Sequence, residues 1–233
     1  MSTPATATTA SATPGVRPRQ APLMGVVPLV LGAVTSAVLL LLTPWGERNE
    51  IGYSAVAPIR DAFWAGILLD GLAMVAVTLG LSLVVHRLVL RTGADLARLG
   101  AVVAVAGGVT FALGGFGYAT LAWHVTDPSI LDPAAGTAVL ESAIENPQHS
   151  LVVQIVGFLA MTLGIVLLSV ALLRSGTLPR WAPIVVLVTS VLAFIVPPRI
   201  KDLAQVIQML AFVALGLLSL RATREAQAAT TDR

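Results

Sequence analysis

The sequence predicts an all-α polytopic membrane protein, a six-transmembrane-helix bundle with cytoplasmic N- and C-termini. Of its 233 residues, 56% are hydrophobic and only 11% are charged, and the mean hydropathy is +0.88. A soluble domain usually carries about 25% charged residues. The chain therefore has too little polar surface to face water on all sides, and we expect the lipid bilayer to surround most of it.

The first 21 residues are rich in Ser, Thr, Ala and Pro. Because such a composition cannot bury a core, we expect segment 1–21 to be a disordered cytoplasmic tail. A signal peptide is the competing interpretation, since Arg17 and Arg19 precede an apolar run. That run, from Leu23 to Leu42, is longer than a signal-peptide core of about 7–15 residues and lacks a small-residue cleavage site after it. It therefore predicts an uncleaved helix.

A transmembrane helix needs about 20 largely apolar residues. Six stretches are candidates: about 22–43, 62–86, 99–123, 150–173, 181–197 and 203–220. The last two are shorter and are separated only by PPRIKD, which predicts a tight helical hairpin. In this hairpin Pro197 and Pro198 end one helix, and Asp202 caps the start of the next. The transmembrane domain would cover 22–221, followed by a cytoplasmic tail over 222–233.

The distribution of basic residues predicts the orientation. With six spans both termini lie on one side, and a cytoplasmic N-terminus puts ten of the fourteen Lys and Arg residues inside. The positive-inside rule favours this arrangement over the inverted one. The ten are Arg17, Arg19, Arg87, Arg91, Arg98, Arg174, Arg180, Arg221, Arg224 and Arg233.

The longest outer connection, 124–149, contains a helix-like pattern. Asp132 and Pro133 are typical of an N-cap followed by proline at the first helical position. Val139, Leu140 and Ile144 then recur at helical spacing before Asn146 and Pro147. A short helix on the outer membrane face fits this pattern, and an ordinary ordered loop is the alternative.

Small residues in the third span predict close helix packing. Helix association in lipid depends on such packing rather than on water exclusion. We expect these residues to lie along one face, either within a monomeric bundle or at the seam of a homo-oligomer. They recur every four residues: Gly100, Ala104, Gly108 and Ala112.

Asp70 is the ionisable side chain inside the apolar stretch GILLDGLAM (66–74). An Asp at the centre of a membrane helix costs about 2.5–3.5 kcal/mol, so it should face other helices or a wet cavity. It is either a structural carboxyl bonded between helices or a group that takes part in proton or solute movement. Its candidate charge partners come from the outer helix ends: Arg60, His124, His149, Arg199 and Lys201.

Three further polar residues fall at a depth similar to that of Asp70. His124 ends the third span, Gln154 opens the fourth, and Gln205 lies in the first turns of the sixth. If the bundle closes around them, Asp70, His124, Gln154 and Gln205 form one outward-facing polar site. This prediction uses depth alone, because the rotation of each helix about its axis is not fixed by the sequence.

The motifs of common enzymes are absent from the sequence. There is no G-x-S-x-G, H-E-x-x-H or Walker A pattern, and there is no cysteine. Histidines and loop carboxylates such as Asp127 lack the spacing of a metal site. We therefore expect no catalytic residues, no metal and no cofactor, and the net charge of +2 is too small to argue for nucleic acid.

Two stretches resemble uncharacterised multi-spanning integral membrane proteins of GC-rich, actinobacterial-type bacteria. They are LRTGADLARLGAVVAVAGG (90–108) and SGTLPRWAPIVVLVTS (175–190). In those families a basic cytoplasmic turn with LPRW opens a late helix; here WAPI replaces the usual aliphatic and glycine residues. The resemblance implies a bacterial plasma membrane location and no specific activity.

Two functions remain open at this level. The first is a non-enzymatic structural or accessory protein whose partners are the bilayer and either a second copy or another membrane protein. The second is a small secondary transporter or channel in which Asp70 is the proton- or solute-coupled carboxylate. The absence of a recognisable three-plus-three repeat in the sequence favours the first.

Overall fold

The computed structural model describes residues 23–42, 52–195 and 198–231, and within these ranges the chain is helical without strands. The predicted all-α class is confirmed. The tail predicted over 1–21 lies outside the described residues. The helices are α1 (Leu23–Leu42), α2 (Tyr53–Val56), α3 (Arg60–Leu88), α4 (Ala94–Val125), α5 (Pro133–Glu145), α6 (Pro147–Ser150), α7 (Val152–Ser175), α8 (Trp181–Ile195) and α9 (Pro198–Thr231).

Within the described part of the chain, five helical stretches are long and apolar enough to cross a bilayer: Leu23–Leu42, Tyr53–Leu88, Ala94–Val125, Val152–Ser175 and Asp202–Glu225. The second combines α2, a 3-10 turn (Ala57–Ile59) and α3. α8 is apolar but shorter, with 15 residues. Helices therefore lie at all six predicted stretches, and five of them have the length of a span.

The last helix differs from the prediction at both ends. It begins at Pro198 rather than near 203, so Asp202 lies one turn inside it and the predicted cap at Asp202 is wrong. Proline at the first helical position accounts for this, because its missing N–H needs no partner there. The helix also continues to Thr231 through most of the predicted tail, where Ala, Arg, Glu and Gln favour helix.

The long helices form a closed ring in the packing order α1, α3, α4, α7, α8, α9 and back to α1. α3 also contacts α7 and α9 across the ring. One end of the bundle carries α5, and we call it the α5 end. The other carries the turns 89–93 and 176–180, and we call it the arginine end.

Small residues bring the helix pairs α4/α7 and α1/α3 into backbone contact. A methyl group added at Gly107 would overlap the backbone of Met161, and one at Gly164 would overlap that of Ala104. The α4 contacts follow a spacing of four, three, four and three residues along Gly100, Ala104, Gly107, Phe111 and Gly114. That alternation is the pattern of left-handed helix packing. We call this contact the α4–α7 seam.

The four small residues predicted to share one face of α4 are divided between two neighbours. Gly100 and Ala104 lie against α7, whereas Gly108 lies against Thr78 and Ala112 against Gly71 of α3. The single-face expectation is therefore wrong. A helix turns about 100° per residue, so a strict four-residue repeat drifts by about 40° at each step and by about 120° from Gly100 to Ala112.

α5 is the short helix predicted in the long connection, and the alternative of an ordinary ordered loop is wrong. The Asp132 side chain accepts a hydrogen bond from the backbone N–H of Ala134 at 2.9 Å, as expected of an N-cap. Leu140 of α5 is fully buried in a second core at the α5 end. This second core consists of Val56, Phe63, Tyr118, Ala119, Ala122, Val125 and Leu140.

Candidate functional site

Asp70 is held by a serine of the neighbouring helix. The Ser36 hydroxyl of α1 donates a hydrogen bond to Oδ1 of Asp70 at 2.7 Å. Ser36 is 0% exposed, and Asp70 is half-buried. A buried polar group costs free energy unless it is hydrogen-bonded, so this contact offsets part of the cost of placing a carboxyl among apolar side chains.

The pair occupies one layer of the contact between α1 and α3. On α1, Gly25, Leu29 and Gly32 lie against the α3 backbone, at spacings of four and three residues. Ser36 follows four residues later and is the next layer of the same pattern. A methyl at Gly32 would overlap the Ala73 carbonyl oxygen at 2.5 Å, so the two backbones are already in contact one turn away. We call this contact the α1–α3 seam.

The predicted cation Arg60 lies far from Asp70 and pairs elsewhere. Their separation of ten positions along α3 corresponds to about 15 Å of helix axis. Nη1 of Arg60 lies 2.8 Å from Oδ2 of Asp127, and its Nε lies 4.0 Å from Asp61. Its guanidinium carbon lies 5.1 Å from the ring centroid of Trp123, a cation–π distance. Arg60 therefore joins α3 to the chain after α4 at the α5 end.

Asp127 is the centre of this contact at the α5 end, and it lies outside the spanning stretches. The hydroxyl and the backbone N–H of Ser129 both donate to Oδ1 of Asp127, at 2.7 and 2.9 Å. These hydrogen bonds, with a smaller contribution from Arg60, hold the pKa of the Asp127 carboxyl below its ordinary value. We call Arg60, Asp61, Trp123, Asp127 and Ser129 the clasp.

The other candidate partners of Asp70 lie at the helix ends. His124 is exposed, and its ring packs edge-on against Trp123 at a centroid distance of 5.0 Å. His149 is exposed in α6. Arg199 and Lys201 lie in the first turn of α9, and their side chains fall outside the described part of the chain. Among the described side chains, the hydrogen-bond partner of Asp70 is Ser36.

Gln154 and Gln205 lie in two different places. Gln154 of α7 lies against Gly114 and Gly115 of α4. If Gly115 carried a Cβ atom, that atom would lie 3.5 Å from Nε2 of Gln154. Gln205 lines a cavity of about 30 Å³ between α3, α7, α8 and α9. The structure therefore does not bring Asp70, His124, Gln154 and Gln205 into one site, and the shared vestibule predicted from depth is not formed.

The cavity brings polar groups to the centre of the ring. Nε2 of Gln208 donates to Oγ of Ser190 at 2.8 Å, which joins α9 to α8. A cavity of this size accepts a water molecule when polar partners line it. Its lining consists of Met74, Val77, Phe158, Met161, Thr162, Ile165, Ser190, Gln205, Gln208, Met209 and Phe212. Asp70 is one helical turn from Met74 but does not line the cavity.

Sequence reasoning missed Ser36 and Ser190, and it considered Asp127 only as a metal ligand and not as the partner of Arg60. Ser36 was detectable in principle, because it continues the alternating spacing of Gly25, Leu29 and Gly32. Ser190 has no comparable signal, since a hydroxyl in an apolar helix usually bonds to its own backbone, as Ser190 also does with Val186. In the described ranges no three His, Cys, Asp or Glu residues come together as metal ligands.

Comparison with known protein families, with curated proteins and with solved structures finds no significant match to this chain.

Proposed function

We propose that this chain is a non-enzymatic integral protein of the bacterial plasma membrane, whose intramembrane polar residues hold its helices together. It would act as a structural or accessory protein through contacts with the bilayer and with other membrane proteins or a second copy. The observation that carries the proposal is the Ser36–Asp70 hydrogen bond of 2.7 Å inside the α1–α3 seam.

The geometry around Asp70 favours a structural role over a transport role. A carboxyl that moves protons or solutes faces a water-filled path, whereas a structural one bonds to a neighbouring helix. Asp70 bonds to Ser36 and is not part of the lining of the central cavity. That cavity, at about 30 Å³, has room for water rather than for a larger solute.

The six-span topology with both termini in the cytoplasm belongs to the same proposal. α8 has 15 residues, about 22 Å of helix, and packs antiparallel to α9 as the shortest of the six crossings. Exposed arginines at the arginine end support its location in the cytoplasm by the positive-inside rule. An even number of crossings returns the C-terminus to the side of the N-terminus.

A secondary transporter or channel is the second candidate, and the central cavity is the observation that favours it. Ser190, Gln205 and Gln208 bring polar groups to the middle of the ring beside Met74, and Asp70 lies one turn along α3 from Met74. For transport through this cavity, the Asp70 side chain would have to rotate away from Ser36 so that its carboxyl reaches the cavity.

Purified protein in proteoliposomes with an imposed pH gradient separates the two functions. The structural proposal expects proton flux equal to that of protein-free vesicles, in the unmodified protein and in Asp70→Asn. An asparagine oxygen still accepts from Ser36, so this variant should keep its thermal stability. Flux in the unmodified protein that Asp70→Asn abolishes while the protein stays folded would establish the transport function instead.

A further inference from the structure

The arginine end of the bundle carries a large uncompensated positive charge. All seven of its arginines in the described ranges are exposed. Of these, Arg98 has an acidic partner, Asp95 at 3.4 Å, and the other six form no ion pair with any described residue. The seven are Arg87, Arg91, Arg98, Arg174, Arg180, Arg221 and Arg224.

Two of these arginines are brought to one corner by a close backbone contact. Gly93 has a positive φ of 90°, and a Cβ there would lie 3.3 Å from the carbonyl oxygen of Ala171 in α7. The turn after α3 therefore rests on the last turns of α7. Arg91 lies two residues before Gly93, and Arg174 lies one turn after Ala171. We call Arg91 and Arg174 the arginine corner.

Buried apolar residues anchor the backbone of this corner. Val89, at the start of the α3–α4 turn, is 3% exposed, and Leu178, in the α7–α8 turn, is 6% exposed. Both belong to the main hydrophobic core. The two turns are thus fixed to the bundle, and the arginines project from anchored backbone rather than from free loops.

Exposed apolar side chains put the corner at the level of lipid headgroups. Leu90 is 79% exposed next to Arg91, and Trp181 is 52% exposed at the start of α8. Tryptophan is enriched at the membrane–water interface, where its ring contacts both lipid and water. In a bilayer, the arginine corner would then face the phosphate layer of the adjacent leaflet.

We infer that the arginine corner is a binding site for the headgroup phosphate of anionic phospholipids. Guanidinium groups bind phosphate oxygens through paired hydrogen bonds, and basic clusters between helices at the membrane surface recruit anionic lipids. Six arginines that form no ion pair with a described carboxylate favour an anionic lipid over a zwitterionic one, because their guanidinium groups are left to bind the lipid's negative charge. The inference is independent of the role of Asp70.

Tryptophan quenching in nanodiscs tests the site on the full chain. Trp181 lies at the arginine end, Trp64 and Trp123 lie toward the α5 end, and Trp45 lies outside the described residues. The signal of Trp181→Phe is therefore subtracted to isolate the quenching of Trp181. The probes are phosphatidylglycerol and phosphatidylcholine with brominated chains, each added at the same low fraction to unbrominated phosphatidylcholine. We expect brominated phosphatidylglycerol to quench Trp181 at a fraction several-fold lower than brominated phosphatidylcholine.

Charge-removing variants locate the site. Arg91→Gln combined with Arg174→Gln should reduce the phosphatidylglycerol quenching to the phosphatidylcholine level, while Arg98→Gln, whose arginine is paired with Asp95, should retain most of the preference. Equal quenching by the two lipids in the unmodified protein would refute the site, and this comparison needs no variant. If Arg98→Gln lost the phosphatidylglycerol preference to the same extent, the assignment of the site to the arginine corner would be refuted. Displacement of the lipid by millimolar inorganic phosphate would identify a site for soluble anions instead.

Discussion

Asp70 and Asp127 show how the same side chain is accommodated in two settings. Asp70 lies within a spanning stretch and accepts one described hydrogen bond, from Ser36. Asp127 lies beyond the end of α4, where Ser129 donates to it twice and Arg60 supplies a charge at 2.8 Å. The first residue joins two helices, and the second holds a turn against the start of α3.

Removing the Ser36 hydroxyl should destabilise the protein more than neutralising Asp70. Ser36→Ala leaves the carboxyl without its described partner, and we expect a loss of about 0.5–2 kcal/mol. Asp70→Asn keeps an acceptor and should lose less. Unfolding in detergent, followed by circular dichroism, compares Ser36→Ala with Asp70→Asn. The same measurement on Ser36→Ala, on Asp70→Ala and on the double variant of these two gives the coupling between the pair. Additive effects would show that the hydrogen bond contributes nothing to stability.

The clasp should weaken in acid. Because the folded protein lowers the pKa of Asp127, it stabilises the charged form, and that stabilisation is fully present above the unfolded pKa of about 4. It is lost as the pH falls through the lower folded pKa. The protection of residues 126–132 against hydrogen exchange, taken relative to the intrinsic exchange rate at each pH, should therefore fall below about pH 4. In Asp127→Asn, this protection should already be low at neutral pH and should lack the acid-dependent step. Protection that does not change with pH in the unmodified protein would contradict this.

At the scale of elements, glycines decide which helices touch. The α4–α7 seam alternates spacings of four and three residues, and each of its α4 glycines faces the α7 backbone. Gly117 lies in the same helix but has no atom within 4 Å of the position of an added Cβ. The sequence does not distinguish a glycine at the seam from one such as Gly117. They differ only in the direction in which they face.

Gly107→Ala should destabilise the bundle, and Gly117→Ala is the matched control. A methyl at Gly107 would overlap the backbone nitrogen of Met161, so α4 and α7 must separate, at a cost of about 1–3 kcal/mol. At Gly117 the added methyl meets open space, and the change should be neutral or stabilising by about 0.5–1 kcal/mol. Thermal unfolding of both variants in the same detergent measures the difference. Equal midpoints would contradict the seam.

At the scale of the whole molecule, the two ends differ in character. The α5 end has a second core, the clasp and an N-capped helix, whereas the arginine end has short turns with exposed arginines. The proposed orientation, with the arginine end in the cytoplasm, would account for this asymmetry through the positive-inside rule.

Single introduced cysteines test this orientation, because the sequence contains none. Ser142→Cys lies on the exposed face of α5, and Thr92→Cys lies in the exposed α3–α4 turn. In intact cells a membrane-impermeant maleimide should label Ser142→Cys and not Thr92→Cys, and both should react after the membrane is opened. Labelling of Thr92→Cys alone in intact cells would show the inverted orientation.

The sequence by itself determined the helical class, the positions of the apolar helices and the start of α5, because these follow from local composition and from residues close together in the chain. Asp132 and Pro133 are an example, since a cap and its helix are neighbours. Only the tertiary structure decided which polar groups meet. Depth along a helix is readable from sequence, but its rotation is set by packing against other helices. That rotation points Asp70 toward Ser36, Arg60 toward Asp127 and Gln205 into the central cavity.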